Sequence, residues 1–477
     1  MCCEAPNHVQ RSHECSMIEK EFVTFFGLQF MPWQLHASME PRRHFAGGSA
    51  SCLKHACAVL VWLRQVQRLA GGIANATQRQ TSVHMYSPCV SPDVGRSLTS
   101  TGAAPVFVHN KHDPELLAAV ARLRQAVPER QGTFEYSAWA AASVMLLFKW
   151  GAMRSTWADL VVLLDLDMEP SPHIRHLPAQ KAALAAEHWT ALLRCALSQN
   201  ETMLSIADHS SPVNTAYLIL KPSAKLFAEG VAVLRRAAAG RFNVSHGWDL
   251  VGRPRHAVPR ADPSRSIIKY KQMEMYTRDD WSFACGATDQ GFYFYMLRVK
   301  HALGGELRRV TACQPSRQVR RRAPGLGHYA GEITPERALA PGSACGSPPP
   351  LLQSMLRASP SASAYKVART LAWALRSRLE LANLQDEVRR VGRANDSAVS
   401  TLARRCDEYI VTGVRCLETA LPLWNVTVTP RFARFMQRRK QPLAPGLSSL
   451  PASDFLSRLY AHGMDEARPK KPSIFGE

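Results

Sequence analysis

Residues 161–167 read Val161-Val162-Leu163-Leu164-Asp165-Leu166-Asp167, an aliphatic run ending in two acids separated by one residue. An unbroken aliphatic run bounded by polar residues suits a strand buried on both faces, as in a parallel sheet covered by helices. Such sheets bind ligands just beyond the carboxyl ends of their strands. Two carboxylates at that place offer oxygen ligands to a hard divalent cation, and a cation held this way commonly bridges to substrate phosphates. The run therefore predicts an α/β fold with a metal and a nucleotide at one sheet edge. Acids also end strands that bind nothing, so the reading depends on what accompanies them.

Four further segments do. Upstream, Leu147-Phe148-Lys149-Trp150 puts Lys149 sixteen positions before Asp165. A helix returning to the same sheet edge can present that ammonium to a diphosphate as a compact point charge; the plainer reading is a surface lysine on an amphipathic helix. Downstream, Asn214-Thr215-Ala216-Tyr217-Leu218-Ile219-Leu220 predicts a strand, and Lys221-Pro222-Ser223 a helix start with Ser223 as N-cap. The Asn214 amide can bond sugar hydroxyls, being donor and acceptor, or simply cap a turn. Thr288-Asp289-Gln290-Gly291-Phe292 offers an acid and an amide for hydroxyls, or an ordinary helix start. Last, His328-Tyr329-Ala330-Gly331 supplies an imidazole and a glycine that lets backbone approach a ligand closely.

In this order the segments resemble glycosyltransferase family 8, the glycogenin-like nucleotide-sugar glycosyltransferases, over about residues 50–340. The resemblance implies a GT-A fold, a Rossmann-like α/β domain, and retaining transfer of a hexosyl group from a UDP-sugar donor to a glycan, protein or other hydroxyl acceptor. It implies Asp165, Asp167 and His328 as metal ligands. A neutral imidazole beside two carboxylates suits Mn²⁺, with Mg²⁺ as the alternative. Lys149, Leu166, Asn214 and Gly331 become contacts to the donor, and Asp289 and Gln290 the catalytic pair that positions sugar and acceptor. The chain also departs from the family pattern. Ala216 replaces a glycine, Gly286 an acid, and Thr334 and Glu336 the lysine and tryptophan of the last motif. Losing that lysine removes a charge that would stabilise the leaving diphosphate. These departures keep open a second reading: a catalytically weak or inactive GT-A module that binds a sugar nucleotide or glycan, or serves as a scaffold.

Periodicity divides the chain into an irregular N-terminal segment (1–48), a catalytic domain (49–340), a Pro/Ser/Gly-rich linker (341–361) and a basic helical extension with tail (362–477). Residues 20–26 are a candidate first strand, followed by a turn that lacks the family's uracil-binding polar residues. Ser51 to Arg68 predicts a first crossover helix closed by Gly71-Gly72. Strands follow at 82–86 and 105–108, separated by a short helix at 94–98, and further helices at 116–127 and 137–153 lead to the opening strand. Residues 365–384 and 397–421 have helical apolar periodicity with many arginines, as a hairpin packed on the domain or as a separate appendage.

The net charge of +21 clusters at Arg320-Arg321-Arg322 and Arg438-Arg439-Lys440, among other places. Such clusters attract nucleic acid, an anionic membrane or an acidic glycan. Nucleic acid is disfavoured, because arginine is abundant throughout and no aromatic-interleaved RNA-binding motif accompanies it. The twelve cysteines contain no Cys-x-x-Cys pair, which argues against a zinc ribbon or redox motif. Five Asn-x-Ser/Thr sequons, at Asn75, Asn200, Asn243, Asn395 and Asn425, point to a secretory or Golgi lumen. The absence of an apolar stretch of ~18 residues and of an opening signal peptide points to the cytoplasm instead, unless the recorded start lacks an anchor.

Overall fold

The computed structural model describes residues 20–29, 50–101, 104–126, 144–166, 168–169, 179–205, 212–243, 245–252, 281, 286–306, 327–328, 377–378, 380–390 and 398–423. Its centre is a seven-stranded sheet. β1 (Glu21–Leu28) lies between β2 (Thr81–Tyr86) and β4 (Ala158–Leu164), with β3 (Val106–His109) at one edge. These four strands are parallel. The two-residue strand β5 (Met168–Glu169) follows β4 outside this sheet. Beyond β4 the sheet continues through β7 (Tyr217–Leu220), β6 (Met203–Ser205) and β10 (Gly304–Glu306). β7 alone runs antiparallel to its neighbours. A mostly parallel sheet with helices on both faces is a Rossmann-like α/β arrangement.

The aliphatic run is the reason β4 sits centrally. Leu160, Val162 and Leu164 enter one apolar layer and Val161 and Leu163 the other, so both faces are dry. In the first layer α1 (Ala50–Thr77) and α4 (Ala179–Ser198) pack together on the sheet. The second layer holds α3 (Pro114–Ala126), a 3₁₀ helix (Val144–Arg154) and α5 (Ala224–Ala238). The short α2 (Pro92–Thr99) joins β2 to β3. As expected, Ser223 caps α5, its hydroxyl accepting the Leu226 N–H at 3.3 Å.

The expectation that α1 ends at Gly71-Gly72 is corrected: the helix runs on to Thr77. A Cβ at Gly72 would lie 2.8 Å from that of Ala186, so the glycine serves close approach of α1 and α4 rather than a helix stop. The candidate strand at 20–26 is β1, extended to Leu28. Of the helix expected at 137–153, the part described is the 3₁₀ helix, one residue longer at its end.

Two helices from the C-terminal region, α7 (residues 380–390) and α8 (Ala398–Leu423), pack beside α1. Leu381, Leu384, Val388, Val399, Ala403 and Ile410 belong to the same apolar layer as α1. Arg68 pairs with Glu380 at 2.7 Å, Arg64 pairs with Glu387, and a disulfide links Cys57 to Cys406 across 349 residues. A second disulfide joins Cys52 to Cys89, and Cys195 is also disulfide-bonded. Among the described residues no helix is long and apolar enough to cross a membrane.

Candidate functional site

The carboxyl ends of β1 and β4 form the topological switch point, where the chain leaves for β2 on one side and returns on the other. Asp165 is the first residue beyond β4, its N–H bonded to the Ala216 carbonyl at 3.0 Å. The 3₁₀ helix brings Lys149 beneath it. The Lys149 ammonium lies 2.7 Å from Asp165 Oδ1 and 3.0 Å from Asp289 Oδ2, and is only 3% exposed. Burial alone pulls this lysine's pKa down; Asp165 and Asp289 overcome that pull and hold it above the ordinary value. Two carboxylates and one ammonium leave one negative charge in excess, counting these groups alone.

Asp289 opens α6 (Asp289–Phe294), and a turn of π helix (Tyr295–Lys300) follows. Its carboxylate is 1% exposed. Oδ2 accepts the Thr215 hydroxyl at 2.5 Å and Oδ1 the Thr288 hydroxyl at 3.2 Å. Gln290, beside it, has a buried Oε1 with no partner among the described residues. Asn214 is half-buried, and its Oδ1 accepts the Ala216 N–H at 2.8 Å, so the side-chain oxygen closes its own turn. Leu166 is half-buried and packs against the first apolar layer.

Asp167 and Gly331 lie outside the described residues, as do Thr334 and Glu336. His328 enters through its backbone: β11 (Gly327–His328) pairs antiparallel with β5, setting His328 opposite Met168. The chain segment carrying the histidine thus runs beside the segment that follows the two acids. Among the described residues, no three His, Cys, Asp or Glu side chains group closely enough to hold a metal.

Several groups escaped the sequence reading. Thr215, in sequence an ordinary residue of a strand segment, bonds Asp289 and lies 3.5 Å from Lys149 Nζ. Tyr293 donates its hydroxyl to the Lys149 carbonyl at 2.8 Å, pinning α6 to the 3₁₀ helix. At the end of β1, Gln29 is 3% exposed; its Oε1 accepts the Ser87 hydroxyl at 2.7 Å, while its buried Nε2 has no partner among the described residues. The only signal for Gln29 was a polar residue closing an apolar strand. Beside this pair runs a stack of rings at the ends of β2 and β3. His112 lies on Phe148 with centroids 4.0 Å apart, Tyr86 stacks on His109 at 4.5 Å, and His84 Nδ1 meets His109 Nε2 at 2.9 Å.

No family model and no curated protein matches this sequence.

Proposed function

We propose that the chain is a retaining GT-A glycosyltransferase that moves a hexosyl group from a UDP-sugar to a glycan, protein or other hydroxyl acceptor, with Mn²⁺ as its metal. The observation that carries this reading is the Asp165–Lys149–Asp289 cluster at the switch point, with the His328 strand paired beside the residues after Asp167. An ionised carboxylate has about four lone-pair sites, so Asp165 can accept from Lys149 and still bind a cation. Asp167 and His328 would complete a mixed oxygen and nitrogen donor set that suits Mn²⁺, with Mg²⁺ the alternative. Bound there, the cation would supply Lewis-acid stabilisation of the departing diphosphate.

The protein's own residues divide the remaining work. Lys149 is a positioning residue, fixing the Asp165 carboxylate from below. Asp289, enclosed by Lys149, Thr215 and Thr288, holds that ammonium in place and ties α6 to the 3₁₀ helix and to the segment before β7. Gln290 Oε1, without a partner among the described residues, accepts a sugar or acceptor hydroxyl, and the Asn214 amide NH₂, whose oxygen is held by the Ala216 N–H, donates to another. As the resemblance implies, Gly331 and Leu166 would contact the donor. Gln29 Nε2, buried beside Ser87 at the end of β1, donates to the nucleobase or ribose in place of the polar turn the family carries.

The second reading, a sugar-nucleotide-binding module with little turnover, is favoured by one observation: Asp289 spends both oxygens on protein donors. UDP release across a panel of UDP-sugars with Mn²⁺ decides between them, comparing wild type with Asp165→Asn and Asp167→Asn. Transfer predicts turnover that falls roughly 100-fold or more in both variants. Mn²⁺-dependent UDP binding without release from any donor supports the module, and turnover indifferent to both substitutions sinks the site assignment.

A further inference from the structure

We infer that this protein carries N-linked glycans at Asn75, Asn200 and Asn243, attached in the oxidising compartment where its disulfides form. The inference stands apart from the glycosyltransferase reading and needs none of the residues assigned to it.

Three independent observations meet here. The first is statistical: the chain has nine asparagines, and five of them begin an Asn-x-Ser/Thr sequon. Ser and Thr make up 58 of the 477 residues, so chance places about one sequon among nine asparagines. The second is redox chemistry. Cys57 and Cys406, 1% and 0% exposed, are bridged inside the apolar layer, and Cys52–Cys89 closes a second bridge. Buried bridges of this kind form and persist in oxidising compartments, each thiol pair giving two electrons and two protons to a disulfide oxidant. That is also the compartment in which sequons are modified.

The third is placement. Asn75, Asn200 and Asn243 are all exposed; Asn395 and Asn425 lie outside the described residues. Asn75 sits in the last turn of α1, just before β2, and Asn200 in the turn between α4 and β6. Both turns feed the amino ends of parallel strands, the edge of the sheet opposite Asp165. Glycans there leave the candidate site open. Asn243 lies on β8 (Phe242–Asn243), whose hairpin partner is β9 (Gly247–Trp248). Its Oδ1 accepts from the His246 N–H at 2.7 Å, and the oxygen keeps this role after attachment because the sugar bonds to nitrogen.

The step balances without redox change. Asn Nδ2 attacks C1 of the reducing-end sugar of a lipid-diphosphate-linked oligosaccharide. The N–C1 bond forms, the C1–O bond breaks with its electron pair leaving on the diphosphate, and one amide proton is lost to a base.

The test is mapping of intact glycopeptides by mass spectrometry, on protein purified from its native cells and digested without reduction. Glycan mass on the Asn75, Asn200 and Asn243 peptides, together with a linked Cys52–Cys89 peptide, is the expected result. Unmodified asparagine in all three peptides, or free thiols at Cys57 and Cys406, overturns the inference. In a eukaryotic secretory host, Asn75→Gln, Asn200→Gln and Asn243→Gln should each remove one step of gel mobility; a variant that keeps every step overturns that site.

Discussion

Lys149 shows how a buried charge survives in an α/β core. Its ammonium has left water, a cost that only close, hydrogen-bonded carboxylates can repay. Asp165 and Asp289 do so from two different elements, which makes the lysine a clamp between the end of β4 and the start of α6. Removing one partner of such a pair strands the other in low dielectric. Lys149→Met should therefore destabilise the fold by roughly 3–5 kcal/mol in urea denaturation, chiefly by leaving Asp289 unpaired. Adding Asp289→Asn should recover part of that loss, a coupling that a double-mutant cycle measures. A single variant within about 1 kcal/mol of wild type would mean that Lys149 carries no such burden.

At the scale of elements, α6 matters most because it delivers Asp289 and Gln290. Its position depends on contact rather than length: Trp248 donates to the Gly286 carbonyl at 3.0 Å and packs on Phe292 with centroids 5.0 Å apart. A Cβ at Gly291 would collide with the Gly286 carbonyl, a backbone group that cannot swing away. Gly291→Ala is expected to cost about 1–3 kcal/mol of stability and to displace the Asp289–Lys149 pair. Thermal unfolding and UDP-sugar turnover measured together check this, and wild-type values of both would refute it. The glycine in the Asp289-Gln290-Gly291 segment thus has a structural role, whatever ligand the neighbouring acid and amide serve.

Across the whole molecule, the C-terminal helices and the histidine stack decide stability. A bridge closing a loop as long as Cys57–Cys406 contributes about 2–5 kcal/mol, mainly by restricting the unfolded chain. The stack acts through pH. Burial first, then His109, lowers His84 to about 3 and His112 to about 4, while both protonate near 6.5 when unfolded. Arg154, paired with Asp113, acts on Tyr86 in the same stack. The unfolded chain then binds more protons than the native one between these values, so stability is full above pH 6.5 and falls below it. Each such histidine should contribute a slope of about 1.4 kcal/mol per pH unit between pH 6 and 5. Urea midpoints over that window test it. His112→Phe keeps the contact with Phe148 and should flatten the slope; an unchanged slope would exclude His112 as a contributor.

Much of this architecture was legible in the chain. The aliphatic run at 161–164 demanded a strand dry on both faces, Ser223 marked a helix start, and period-two and helical patterns located most crossover elements. Those signals are local, set by propensity, capping and the period of burial, and so they are written in neighbouring residues. Gly71-Gly72 misled for the opposite reason: whether a glycine stops a helix or admits a neighbouring one depends on α4, more than a hundred residues away. The same holds for the reversed β7, for the Thr215 and Tyr293 bonds that enclose Lys149, and for the pairing of Cys57 with Cys406. The sequence by itself determined that a buried aliphatic run ends in acids, and that a lysine, an asparagine, an acid–amide pair and a histidine follow one order along the chain. Tertiary structure alone decided which of those groups meet, because burial and charge pairing are properties of the space between elements rather than of the elements.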